Sequence, residues 1–149
     1  VIHRDLATRN LLVDEHFHAY VSDFGMSRLR DYDEANSAQQ TKSDVGPLKW
    51  MAPECIRDKV YSVKSDTWAF GVTLWEAFSQ SVPFAHLDAV SAAMKIVYEG
   101  QRLELPKWAP KKLRAILAVC WKDQPEDRPT MDNIATLLEE LIDLEDPRR

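Results

Sequence analysis

The chain has little cysteine and little glycine, and it has no long apolar run. Its two cysteines, Cys55 and Cys120, are far apart in the sequence, and neither has a C-x-x-C partner. We therefore expect neither a disulfide framework nor a zinc site, and a reducing compartment fits this usage. The four glycines are also widely spaced, so the sequence holds no glycine-rich phosphate-binding loop. No apolar run reaches about 20 residues, so we expect no membrane segment.

Basic residues are also fewer than acidic residues. The sequence has 19 lysines and arginines against 24 acidic residues, which gives a net charge of −5. A nucleic-acid-binding surface therefore has no support from composition, and we expect no nucleic-acid partner. A length of 149 residues, with 45% hydrophobic and 29% charged residues, is typical of one globular domain or one large lobe.

The front of the chain reads as short extended segments. Leu11-Leu12-Val13 is a brief apolar run, residues 14–16 are typical of a turn, and residues 17–22 form a second strand-like segment. A hairpin of this kind would bring Asn10 and Asp23 together at one end.

Residues 26–49 are polar, charged and without periodicity. An irregular stretch of this length inside a compact domain is usually functional or disordered. Its place between two catalytic-type motifs favours a regulated loop.

The rest of the chain is predicted to be helical. Residues 67–78 are apolar on nearly every side, which indicates a central, buried helix. The predicted helix caps or preceding residues are Ser65 and Asp66 for this helix, Asp88 or Ser91 for the next, Pro110 for the third and Thr130 for the last. The predicted fold class is mainly α, with a small β-hairpin at the front.

Three motifs follow one another in the sequence: H-R-D-x-x-x-x-N at 3–10, Asp23-Phe24-Gly25, and Ala52-Pro53-Glu54. Asp5, Asn10 and Asp23 carry the oxygens that a hard cation bridging nucleotide phosphates prefers. In this order, the motifs resemble those of the protein kinase family. Each motif alone would be a weak signal, but the three together are specific.

The resemblance implies a role for each of these residues. Asp5 would act as the base that orients an incoming hydroxyl, and Asn10 and Asp23 would bind Mg²⁺ together with ATP. Gly25 would allow the sharp turn after Asp23. The alternative is a degenerate kinase in which these side chains only organise the fold.

Other matching positions imply structural roles. His3 and Phe24 would belong to a column of side chains that links two kinase lobes. Glu54 would meet Arg128, which follows Cys120-Trp121 in the family's late motif. Asp66 would hold the backbone of the His3-Arg4-Asp5 segment, a role compatible with a helix cap. The large aromatic residues Trp68, Trp75, Trp108 and Trp121 are interpreted as core residues.

The candidate regulatory residues depart most from the pattern of the family. Arg4 occupies the family's position for binding a phosphate on the following loop, although an ordinary surface ion pair is the alternative. The usual activating tyrosine would fall near Ala38, and this chain has none there. The candidate phosphorylation sites are Tyr32, Thr41 and Ser43. Phosphosite mapping that found all three unmodified in active protein would exclude them.

The residues between Asp5 and Asn10 also indicate which residue type of the substrate would accept the phosphoryl group. Serine/threonine kinases usually have a lysine where this chain has Ala7, and Arg9 is typical of the tyrosine kinases. Lys49-Trp50-Met51 agrees with this interpretation, and Pro47-Leu48 occupies the family's seat for the substrate tyrosine. We therefore expect phosphoryl transfer to tyrosine in a protein substrate. A tyrosine-kinase-like serine/threonine kinase is the alternative.

The resemblance runs over residues 1–149, but only to the C-terminal catalytic lobe of a kinase. The glycine-rich loop, the strand lysine and the helix glutamate of an N-terminal lobe have no counterpart here. We expect the chain to be part of a longer protein and to be inactive without that lobe. Removing the lobe should expose apolar surface around His3 and Phe24. The expected location is the cytoplasm, or the cytoplasmic side of a membrane for a receptor. A pseudokinase scaffold is the alternative from another functional class.

Overall fold

The computed structural model describes residues 1–24 and 46–145. Within these residues, a two-stranded sheet precedes five α-helices, so the predicted fold class is confirmed. The strands and helices are β1 (Leu11–Val13), β2 (Ala19–Val21), α1 (Pro53–Asp58), α2 (Val63–Ser79), α3 (Ala89–Tyr98), α4 (Lys111–Cys120) and α5 (Met131–Glu145). Short 3₁₀ helices cover Thr8–Asn10, Gly46–Trp50 and Pro125–Asp127.

The predicted hairpin is present at the front of the chain. β1 and β2 are antiparallel, and Leu11 lies opposite Val21. The Asp14 carboxylate closes the turn because it accepts hydrogen bonds from the backbone N–H groups of His16 and His18, at 2.9 and 2.8 Å. Such side-chain bonds are what favour aspartate in turns.

Helix α2 begins at Val63, earlier than the sequence predicted. Its cap is Ser62, whose Oγ accepts from the N–H groups of Lys64 and Ser65 at 3.1 and 3.2 Å. Ser65 Oγ in turn accepts from Ser62 N–H at 2.9 Å, which completes a capping box. The prediction of Ser65 and Asp66 as caps was therefore wrong, because both lie in the first turn.

The same helix runs through the centre of the core, as predicted. Trp68 and Trp75 on α2 and Trp121 at the end of α4 are all buried. A Cβ on Gly71 would lie 2.8 Å from Trp121 Nε1, so the lack of a side chain lets α4 approach α2. Trp108 was wrongly predicted as core: it is 72% exposed, and its ring stacks on Phe78 at a centroid distance of 5.2 Å.

Helices α3 and α5 begin at side-chain caps. Asp88 caps α3 through Ser91 N–H at 2.8 Å, and Thr130 Oγ1 accepts from Asn133 N–H at 3.2 Å before α5. Helix α1 was not predicted, because six residues are too few to show a helical period. None of the helices in the described part of the chain is long and apolar enough to cross a membrane.

Candidate active site

The backbone before Asp5 is fixed to α2 by one buried carboxylate. Asp66 Oδ2 accepts from His3 N–H at 2.7 Å, and Asp66 Oδ1 accepts from Arg4 N–H at 3.0 Å. Burial raises the pKa of the Asp66 carboxyl, and the two backbone hydrogen bonds act in the opposite direction. The structure therefore places Asp66 against the segment that the sequence assigned to it.

Asp5 lies at the centre of a small hydrogen-bond network. The Arg9 guanidinium donates to Asp5 Oδ1, and the Asn10 amide nitrogen donates to Asp5 Oδ2 at 3.0 Å. The same amide donates to the backbone carbonyl of Asp5 at 2.7 Å. The Asp5 side chain keeps 15% of its surface exposed. Its carboxylate is thus oriented by two neighbours and still open to an incoming group.

His3 joins this segment to the hairpin. Asp5 N–H donates to His3 Nδ1 at 3.2 Å, so the ring proton belongs on Nε2, which donates to the Ser22 carbonyl at 3.0 Å. The His3 and Phe24 rings contact each other in an edge-to-face arrangement, with centroids 4.9 Å apart and planes at 66°. His3 itself is buried, whereas Phe24 is 52% exposed.

The two candidate cation ligands are brought to one end of the hairpin. Ser22 donates to the Asn10 carbonyl through both its N–H, at 2.8 Å, and its Oγ, at 2.9 Å. Asp23 follows Ser22 directly and is exposed. Because the Asn10 amide nitrogen is used by Asp5, its amide oxygen is the atom left for a cation. An amide oxygen and a carboxylate form a donor set that suits Mg²⁺.

Two site residues adopt left-handed backbone conformations. Arg4 has φ 72° and Asp23 has φ 60°. For residues other than glycine, such geometry is uncommon and often marks functional sites. The Arg4 guanidinium lies over the Tyr61 ring, 4.7 Å from its centroid. The sequence analysis did not predict these two left-handed conformations, because the residue types in the two segments do not indicate them.

The Ala52-Pro53-Glu54 motif is joined to the segment before α5 by an ion pair. Arg128 donates to both carboxylate oxygens of Glu54, at 2.6 and 2.8 Å. The Arg128 side chain has no exposed surface. This pair links the first turn of α1 to the residues that precede α5.

Glu76 and Trp50 were not identified as site residues by sequence reasoning. Glu76 Oε2 accepts from Thr8 N–H at 3.0 Å and from the Trp50 indole N–H at 3.1 Å. The Trp50 ring lies under the Arg9 guanidinium, 4.7 Å from its centroid. A signal was available, because Glu76 is the one charged residue in the C-terminal half of α2, residues 71–79.

The two thiols are poor candidates for a nucleophile. Burial raises the pKa of Cys55 and that of Cys120 to about 12. The thiolate is the reactive form of cysteine, so neither side chain is activated at neutral pH. Four other predicted residues, Gly25, Tyr32, Thr41 and Ser43, lie outside the described residues.

Comparisons with known proteins show which family the chain belongs to. A family model described as protein tyrosine and serine/threonine kinase matches residues 1–138. The tyrosine-protein kinase Shark of Drosophila melanogaster is 43% identical over 87% of this chain, which covers 14% of that protein. The serine/threonine-protein kinase STY17 of Arabidopsis thaliana is 37% identical over 95% of the chain and 24% of that protein.

A receptor is also among the relatives. The macrophage colony-stimulating factor 1 receptor of Mus musculus is 39% identical over 97% of the chain and 15% of that protein. The chain thus spans a quarter or less of the length of these relatives, and their names include both acceptor types. Because the family model matches residues 1–138, the chain belongs to the protein tyrosine and serine/threonine kinase family.

Proposed function

We propose that residues 1–149 form the C-terminal catalytic lobe of a two-lobed protein kinase that phosphorylates tyrosine in protein substrates. The observation that carries this proposal is the orientation of Asp5 by Arg9 and Asn10, with part of its carboxylate left exposed. A carboxylate held in this way can accept a hydrogen bond from a hydroxyl and direct the oxygen towards a phosphorus atom.

The proposed step transfers the γ-phosphoryl group of ATP. The substrate hydroxyl oxygen forms a bond to the γ-phosphorus, the bond from that phosphorus to the bridging oxygen breaks, and ADP leaves with that oxygen. The hydroxyl proton passes to the Asp5 carboxylate. Asp5 thus positions the nucleophile and takes its proton, and no covalent enzyme intermediate is needed.

Asn10 and Asp23 are the residues that would hold Mg²⁺ in this scheme. When bound, the ion would neutralise charge on the phosphate oxygens. The protein's own contribution is to keep the two oxygen ligands at one end of the hairpin through Ser22. Since ATP is a cytoplasmic substrate, the proposed location is the cytoplasm or the cytoplasmic side of a membrane.

Preference for tyrosine is proposed from Ala7, Arg9 and the Lys49-Trp50 pair. Ala7 leaves no lysine beside Asp5, and Arg9 donates to Asp5 from further along the segment. A serine/threonine kinase is the second candidate, favoured by the 37% identity to STY17. A peptide array with matched tyrosine, serine and threonine acceptors, used with the complete kinase domain, separates the two.

The first test is Asp5→Asn in the complete kinase domain. We expect kcat to fall by about 10²- to 10⁴-fold, which is the usual contribution of a positioned general base. Asp127→Asn, a change of the same type in the exposed 3₁₀ helix Pro125–Asp127, is the control and should retain full activity. Equal rates for the two variants, measured with radiolabelled ATP, would overturn the role of Asp5. A wild-type domain without transfer would favour a scaffold.

A further inference from the structure

The segment that carries Asp5 is anchored to α2 on both sides. Before Asp5, the Asp66 carboxylate binds the backbone N–H groups of His3 and Arg4. After Asp5, Glu76 Oε2 binds the backbone N–H of Thr8. The two acids are ten residues apart on α2, roughly 15 Å along the axis at 1.5 Å per residue. The segment that carries Asp5 is thus held before and after Asp5 by two side chains of one helix.

Glu76 does more than fix Thr8, because the same oxygen accepts a second hydrogen bond. The indole N–H of Trp50 donates to Glu76 Oε2 at 3.1 Å. Trp50 ends the 3₁₀ helix Gly46–Trp50, which lies on the other side of the undescribed residues from the catalytic segment. One carboxylate oxygen therefore joins two segments that are distant in sequence.

A second path leads from Trp50 back to the base. The indole ring supports the Arg9 guanidinium at 4.7 Å, a distance at which cation–π attraction operates. Arg9 donates to Asp5 Oδ1. Glu76, Trp50, Arg9 and Asp5 thus form a continuous chain of contacts, and Thr8 closes it into a ring through the backbone.

A half-buried carboxylate in this position has a cost. Removing a charged group from water is unfavourable unless hydrogen bonds compensate for the lost hydration. Glu76 is only partly exposed, and two N–H donors converge on one of its oxygens. An apolar residue would suit the neighbouring core surface of α2 better, so the acid is best explained by the two segments that it joins.

We infer that Glu76 is a positioning residue that couples the segment Gly46–Trp50 to the catalytic base Asp5. The inference rests on the proposed kinase function and extends it. Without Glu76, the Thr8 N–H and the Trp50 indole lose their common acceptor, and Arg9 loses its fixed support. Small displacements of a reacting group can cost about 10²-fold in rate.

The test compares Glu76→Ala, Glu76→Gln and Trp50→Phe in the complete kinase domain. The amide introduced by E76Q keeps an oxygen with two lone pairs, so this variant should recover most of the activity that E76A loses. W50F keeps an aromatic ring under Arg9 but removes the indole donor. Glu139→Ala, a change at an exposed glutamate on α5, is the matched control.

Kinetics give the first readout. We expect E76A to lower kcat by about 10- to 100-fold, with an unchanged KM for ATP and with rates corrected for the folded fraction. The effects of E76A and W50F should be less than additive, because both remove the same hydrogen bond. If corrected kcat values of E76A and E139A are equal, the inference is wrong and the kinase function still stands. If the wild-type domain transfers no phosphate, the proposed function itself fails, and the positioning role fails with it.

Hydrogen exchange gives the second readout and does not depend on activity. In E76A, exchange at the Thr8 amide and the Trp50 indole should accelerate, while the His3 and Arg4 amides held by Asp66 should not change. Uniform acceleration at all four sites would show a general loss of stability and would contradict a local positioning role.

Discussion

Arg128 illustrates, at the scale of one residue, how a charge is kept in the core. Its five N–H groups all have acceptors: two Glu54 oxygens and the backbone carbonyls of Lys122, Lys64 and Asp123. The guanidinium also faces Trp68 at 5.0 Å. Because every N–H of the guanidinium has an acceptor, Arg128 can be almost completely buried, with 1% of the residue's surface exposed. The side chain therefore joins three backbone carbonyls to the Glu54 carboxylate on α1.

We predict that Arg128 and Glu54 are unequal partners. Arg128→Met should lower the free energy of unfolding by about 3–5 kcal/mol, because it leaves a buried carboxylate and three carbonyls without donors. Glu54→Gln should cost less, about 1–3 kcal/mol, because the carbonyl contacts survive. Urea denaturation of the chain measures both changes. Equal losses would show that only the ion pair matters.

Side-chain identity predicted part of the site but not its backbone. The sequence predicted Asp5, Asn10 and Asp23 as candidate site residues because their residue types and spacing match the motifs. The left-handed conformations of Arg4 and Asp23 could not be predicted, since they follow from tertiary contacts such as those of Asp66. Glu76 escaped notice for a similar reason: its partners lie 68 and 26 residues away.

Among the elements, α3 depends on a charged cap. Hydrogen bonds from the Ser91 backbone and hydroxyl lower the pKa of the Asp88 carboxyl. A lowered pKa in the folded state means that the carboxylate stabilises α3 above the unfolded value of 3.8 and that this contribution disappears as the pH falls through the folded value. The acid sensitivity of the chain should therefore include this helix start.

We predict that Asp88→Ala is destabilising at pH 7 and that the difference from wild type shrinks as the pH falls below about 4. Asp88→Asn is the matched control, because asparagine also caps helices but does not titrate. Unfolding curves recorded from pH 7 to pH 2 measure the effect. A wild-type advantage over D88A that persists unchanged in acid would contradict the prediction.

Helix α2 also depends on a position without a side chain. Gly71→Ala should gain about 1 kcal/mol of helix propensity. The new Cβ, however, would lie 2.8 Å from Trp121 Nε1 and 2.9 Å from Cys120 Cβ. Because overpacking of this kind typically costs about 1–3 kcal/mol, we predict a net loss of stability. Ala77→Gly on the exposed side of α2 is the control for propensity alone, and thermal unfolding measures both. A more stable G71A would show that α4 can move away at little cost.

The positions of α2 to α5 were predictable because apolar patterning and cap residues are local properties of the sequence, whereas α1 was too short to show such a pattern. The boundary of α2 was not predictable, because the Ser62–Ser65 capping box depends on side-chain geometry. Trp108 was misplaced because aromatic character does not reveal whether a loop residue faces the core. Local patterns thus predicted four of the five described helices, whereas the geometry of a local cap set the start of α2 and tertiary packing left Trp108 exposed.

At the scale of the whole molecule, the hairpin side of the chain is unusually apolar for an exposed surface. The exposed large side chains there are Leu12, Val13, Phe17, Tyr20, Val21 and Phe24. His3 is buried, and its ring contacts the exposed Phe24 ring in an edge-to-face arrangement. Exposed apolar patches often mark interaction sites. This surface fits the proposal that a second kinase lobe covers the hairpin.

We predict that residues 1–149 alone transfer no phosphate from Mg-ATP to a peptide. The chain has no glycine-rich loop and no strand lysine to hold the nucleotide phosphates. The same preparation should self-associate more than the complete kinase domain, because the hairpin surface is uncovered. A radiolabel assay and light scattering measure the two properties. Measurable transfer by the chain alone would refute the need for a second lobe.

The anchoring of the Asp5 segment has a consequence for biosynthesis. His3 bonds to a residue 63 positions later, and Thr8 bonds to one 68 positions later. Ribosomes add about 5–20 residues per second, so roughly 3–14 s pass between translation of the catalytic segment and that of the helix that holds it. During that interval the nascent catalytic segment lacks both carboxylate anchors. The residues proposed to carry the chemistry are therefore translated before the helix that fixes their geometry.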